Sequence, residues 1–156
     1  MKHTLTALCC ALVFACNNDK GTVSQTNAPG SSSTSEGPSP NISGHWEGSF
    51  SNGMKGARIS FDISEDGKEL KDLTFGGYWR CDGKLDLTTL GPEKSFVIQN
   101  NKVDGVITEP ESGGASAARF ELHAAINDDK AEGTFRMNIN GLGCDTYKLN
   151  WTASRK

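Results

Sequence analysis

The sequence predicts an all-β fold: an antiparallel meander of about eight strands, curled into a barrel or barrel-like sandwich, stapled by one disulfide and preceded by a disordered tether. Three observations carry that expectation. Over residues 42–156 apolar and polar positions alternate, as in Ala57, Ile59, Phe61 and Ile63 against Arg58, Ser60, Asp62 and Ser64. Strands with that period bury one face and wet the other. Turn-forming pairs break the alternation at a spacing of about 8–12 residues, which suits a sandwich or an up-and-down barrel. No stretch shows a helical period.

In chain order, the first strand opens with Gly44-His45-Trp46-Glu47-Gly48, and period two puts Trp46, Gly48 and Phe50 on its inner face. Asn52-Gly53 offers a tight turn into Ala57–Ser64, and Asp66-Gly67 another beyond it. Leu73 and Phe75 lead into Gly76-Gly77-Tyr78-Trp79-Arg80-Cys81. With Phe75, Gly77 and Trp79 inward, Gly76 and Tyr78 face outward. Asp82-Gly83 reverses the chain into a strand carrying Leu85 and Leu87, and Phe96 and Ile98 mark a further one. Asn100-Asn101 tolerates left-handed backbone, and Glu109–Gly114 reads as a long, polar, mobile loop. Phe120, Leu122 and Ala124 precede a reversal at Asn127-Asp128-Asp129. Phe135, Met137 and Ile139 follow, then Tyr147, Leu149, Trp151 and Ala153. Glu47-Gly48-Ser49-Phe50 and Glu132-Gly133-Thr134-Phe135 share a small pattern; a strand glycine permits a sharp bend or close backbone approach, and the pattern is read as a shared local bend rather than a duplication.

Composition sets outer limits. Apolar residues make up 35% and charged residues 22% of 156, ordinary for a globular protein. Sixteen basic against nineteen acidic residues give a net charge of −3, which excludes nucleic-acid binding through a bulk basic surface. No apolar run reaches the ~18 residues of a membrane-spanning helix.

The N-terminus reads as an address. Met1-Lys2-His3 is followed by the apolar run Leu5–Ala15, interrupted only by Thr6. This has the length of a secretory core and is too short to span a bilayer. Val13-Phe14-Ala15-Cys16 resembles the lipobox of bacterial lipoproteins, with Phe14 where a smaller residue is usual. The resemblance implies a signal peptide over 1–15, lipid on Cys16 and anchoring in the cell envelope. Asn17 after the cysteine is in line with outer-membrane sorting, on the surface or the periplasmic face. Cleavage after Ala15 with a free Cys16 is the competing reading. Two or more acyl chains hold a protein stably where one is marginal. From 16 to 41 the chain is Ser, Gly and Pro rich and has little to bury. It is expected to act as a tether with a reach of about 25–30 Å.

Of five cysteines, Cys9 and Cys10 leave with the signal and Cys16 takes lipid, so Cys81 and Cys144 remain as an even pair. An exported compartment favours their disulfide. It closes a 64-residue loop, worth about 4 kcal/mol in the chain-entropy account.

Gly44-His45-Trp46 resembles the Gly-x-Trp opening of lipocalins and other calycins, which implies that Trp46 closes one end of a barrel. More widely, Gly44/Trp46/Gly48, Gly76–Cys81, Gly143-Cys144 and Trp151-Thr152-Ala153 are similar to a class of bacterial secreted and lipoprotein β-domains. That class supplies no catalytic residues to transfer.

Catalytic signatures are missing from the sequence: there is no Gly-x-Ser-x-Gly elbow, no His-Glu-x-x-His and no phosphate-binding glycine loop. His45 and His123 face outward on different strands and read as solvated rather than metal-binding. The carboxylates are scattered over polar faces. No cofactor is implied. Tyr78 and Trp79 form the candidate binding surface, against the reading that Trp79 is core beside the disulfide. The expectation is a non-enzymatic envelope module, anchored to the membrane by its lipid and binding a protein or a glycan. The alternatives are a carrier of a small apolar ligand and a barrel-type protease inhibitor.

Overall fold

A computed structural model describes residues 41–156 of the chain. The expected signal peptide, Cys16 and the expected tether up to residue 40 lie outside the described residues. The fold is all-β, as expected, with ten strands instead of about eight. They are β1 (Gly44–Phe50), β2 (Arg58–Ile63), β3 (Glu69–Cys81), β4 (Lys84–Leu90), β5 (Phe96–Val97), β6 (Lys102–Glu109), β7 (Ala118–Asn127), β8 (Lys130–Ile139), β9 (Cys144–Asp145) and β10 (Leu149–Arg155). The two short strands, β5 and β9, account for the surplus.

All pairings are antiparallel. β10 inserts between β1 and β8, so the circuit β1–β2–β3–β9–β8–β10 closes into a barrel of six strands. β4 and β5 pair with the other edge of β3, while β7 and then β6 continue from β8. A bridge between Gln99 and Lys102 links the end of β5 to β6. The neighbours β3–β5–β6–β7–β8 thereby close the far side.

Turn chemistry explains most of the reversals. Asp82 and Gly83 both have positive φ (48° and 75°), and so do Asn100 and Asn101 (51° and 57°). Both are the left-handed pairs that two-residue hairpins require. At Glu65–Gly67 only Gly67 is left-handed, and its N–H donates to the Ser64 carbonyl at 2.9 Å. Asn52-Gly53 makes no tight hairpin. The chain from 51 to 57 is a wider loop with Gly56 left-handed, and the Asn52 side chain instead joins Lys148 O (3.1 Å) and Asn150 N (2.7 Å). The Glu109–Gly114 segment is tied down: the Glu109 carboxylate accepts from the backbone N–H of Glu93 and Lys94, and Lys94 pairs with Glu111.

A bulge at Asp72 (φ 54°) shifts the β2–β3 register between Ser60 and Asp62. It lets Leu70, Leu73 and Phe75 all point inward. The barrel is filled by its own aromatic side chains. Trp46 stacks on Phe61 at 5.9 Å between ring centres, and Phe61 meets Trp151 edge-on at 5.7 Å. Phe75 stacks on Phe135, and Phe50 leans on both. Trp46 is fully buried, and its Nε1–H donates to Ile42 O at 3.1 Å. Burying each such side chain is worth about 1.5–3 kcal/mol.

Candidate functional site

The register fixes two ends. Gly44 pairs with Ile63 at the end where the described chain begins, and Ser49 pairs with Arg58 at the other. β3 runs past that second end, where Arg80 and Cys81 pair with Asp145 and Cys144. The disulfide joins Cys81 to Cys144, register partners on neighbouring strands. β9 is also paired with the end of β8. It draws the projecting ends of β3 and β8 together across the end of the barrel.

Tyr78 and Trp79 sit beside this clamp. Tyr78 faces solvent at 45% exposure, whereas Trp79 is half-buried and packs on the core. Gly77, just before them, is buried in the inward row, as parity requires. A cleft of about 200 Å³ opens here, with Met54, Tyr78, Trp79, Arg80, Leu85 and Tyr147 among its walls.

Tyr147 is the residue the sequence pattern misplaced. The alternation put it inward in one strand with Leu149 and Trp151, but it is 58% exposed and β10 starts only at Leu149. Local side-chain bonds are the reason. Asp145 Oδ1 accepts the Tyr147 N–H at 2.7 Å, and the buried Thr146 hydroxyl bridges Met137 N (2.9 Å) and Tyr147 O (3.0 Å). The backbone turns left-handed at Tyr147 (φ 56°), a conformation costly for a bulky residue, and the parity is lost. The signal was an Asp two residues upstream, a type that competes for backbone bonds. Asp145 is further gripped by Arg136, with Nε at 3.1 Å and Nη2 at 2.6 Å. That hydrogen bond and charge raise the Arg136 pKa still higher.

Leu85 and Leu87 also depart from expectation. Their alternation suggested a half-buried strand, yet they are 41% and 70% exposed. β4 pairs only with β3, so among the described elements no layer covers its outward leucines.

The outward histidines lie elsewhere. His45 bonds Asp62 at 2.9 Å and lies 3.6 Å from Glu47. The Asp62 hydrogen bond raises its pKa above the ordinary histidine value. His123 faces Asp104 at 3.1 Å. A wider trough of about 870 Å³ crosses the outer face of β2, β1, β10 and β8. It is lined by hydroxyls and charges of both signs, without an aromatic side chain. The end cleft is thus where exposed apolar surface, aromatic faces and backbone held against its own preference coincide. The chain matches no family model, no curated protein and no solved structure among those it was compared with.

Proposed function

We propose that the protein is a lipid-anchored, non-enzymatic binding module of the bacterial cell envelope, with the disulfide-tied end as its binding face. The observation that carries this reading is the pair of exposed tyrosines, Tyr78 and Tyr147, flanking the cleft. Exposed aromatics clustered on a rigid frame are how protein surfaces engage partners. Gly44 and the cleft lie at opposite ends of the barrel. The aromatic filling of the interior favours a surface module over a carrier, since a carrier needs room around its axis.

Oxidative footprinting tests the reading without knowledge of the ligand. Tyr78 and Tyr147 in the intact host envelope should be modified several-fold less than in the purified chain, while exposed Leu142 is modified equally in both. Acyl labelling of the wild type should be lost in Cys16→Ala. Equal modification of both tyrosines in the two settings refutes the binding face, and an unlabelled wild type refutes the anchor.

A further inference from the structure

We propose that the cleft takes a carboxylate-bearing sugar ring of an acidic glycan, an inference that rests on reading this end as the binding face. Shape gives the first argument. About 200 Å³ between Tyr78, Tyr147 and the half-buried Trp79 accommodates one sugar ring. The apolar C–H face of the ring lies against aromatic surface while its hydroxyls stay in water, a division of the kind that amphipathic tyrosines and tryptophans serve. A flat apolar partner would leave the polar rim unused.

Charge gives the second argument. Arg80 lines the cleft, and Lys55 and Lys148 follow the lining residues Met54 and Tyr147 in the chain. None of the three takes part in an ion pair among the described residues. The carboxylate lining the cleft, Asp145, is already committed to Arg136 and to the Tyr147 N–H. Against these three cations stands Asp82 of the β3–β4 turn, while Lys84 and Asp86 share the opposite face of β4 from Leu85. This end is therefore positive on a chain whose net charge is −3. The guanidinium of Arg80 suits a carboxylate, which it can hold through two parallel N–H donors.

Preorganisation gives the third. Tyr147 is held exposed and left-handed by bonds from two neighbouring side chains, close in sequence to the disulfide. Such strain persists where the surroundings over-determine it, and it spares a ligand the ordering of the loop.

The test uses the full chain in mild detergent, titrated with glucuronate, N-acetylneuraminyl-lactose and trigalacturonate while the amide and ring signals of Tyr78, Arg80 and Tyr147 are followed by NMR. At least one of the three should shift those signals saturably. The methyl ester of that sugar, which keeps the ring and removes the charge, should bind at least tenfold more weakly. Arg80→Gln should weaken the acidic sugar by about tenfold, a change of ~1.4 kcal/mol, and leave the ester unchanged. Far-UV circular dichroism confirms that this exposed-site variant is folded. Silence toward all three sugars to about 10 mM, equal binding of acid and ester, or indifference to Arg80→Gln overturns the inference. Tyrosine protection in the envelope with silence toward the sugars would overturn the ligand class and leave the binding face standing. Sugar binding without envelope protection would do the reverse.

Discussion

At the scale of single residues, three glycines that interrupt strands divide into two kinds. A Cβ built on Gly133 would meet the His123 carbonyl oxygen at 1.8 Å, and one on Gly48 the Thr152 carbonyl oxygen at 2.2 Å. These obstacles are backbone atoms of paired strands, which cannot move without disturbing the ladder. Gly76, on the outer face of β3, has nothing closer than the Thr89 hydroxyl at 3.9 Å. Gly133→Ala should therefore cost about 2 kcal/mol or more, in the overpacking range. Gly76→Ala should be neutral or stabilise by about 0.5 kcal/mol, because it only removes unfolded-state freedom. Urea denaturation of the two variants reads the difference, and equal losses would refute the close-approach account. The shared Glu-Gly-Ser/Thr-Phe pattern marked both glycines in the sequence, where it was read as a local bend, and the structure shows close approach to a paired strand. The exposure of Tyr147 was not legible, because the side chains of Asp145 and Thr146 decide it, and a period-two pattern carries no information about such local bonds.

At the scale of elements, alternation reports that a strand has two unlike faces and says nothing about what covers the apolar one. β2 and β4 alternate comparably in sequence. In β2, Ile59, Phe61 and Ile63 are buried beneath neighbours on both edges, whereas β4 has a strand on one edge and its outward leucines stay in solvent. Which of the two a given run becomes depends on closure of the barrel, a long-range outcome. The hairpin pairs Asp82-Gly83 and Asn100-Asn101 were readable because their conformations are local. Ile59→Ala should accordingly cost about 2–4 kcal/mol. Leu87→Ser should change stability by no more than about 0.5 kcal/mol. Thermal unfolding of both variants checks this, and a large loss in Leu87→Ser would mean that β4 is covered in the working protein.

At the scale of the whole molecule, cysteine arithmetic identified the bond but could not say what it does. Cys81 and Cys144 lie 63 residues apart in sequence yet face each other across the β3–β9 pair. β9 is two residues long, with two register pairs to β3 and two to β8, and the Arg136–Asp145 pair and the Thr146 bonds to Met137 add to them. So short a ladder is weak by itself, and the disulfide adds a covalent constraint to the side-chain bonds that place Asp145, Thr146 and Tyr147. The barrel has independent support: β1, β2, β8 and β10 form long ladders around the aromatic core. Loss of the bond should therefore act in two ways. Replacing both cysteines by serine in the full chain should lower global stability by up to about 4 kcal/mol through the unfolded state. It should also open the β9 region below the global transition, so that the amides of Thr146 and Tyr147 exchange at least tenfold faster than those of Ile59 and Phe61. Hydrogen exchange at several urea concentrations separates the two effects. If all four amides exchange with the global free energy in the double variant, the clamp is part of the barrel's cooperative unit and the cleft does not depend on the bond. If Thr146 and Tyr147 open first, the disulfide keeps the proposed binding face formed as well as the chain folded. Reducing conditions should then abolish the binding proposed for the cleft while the barrel remains intact.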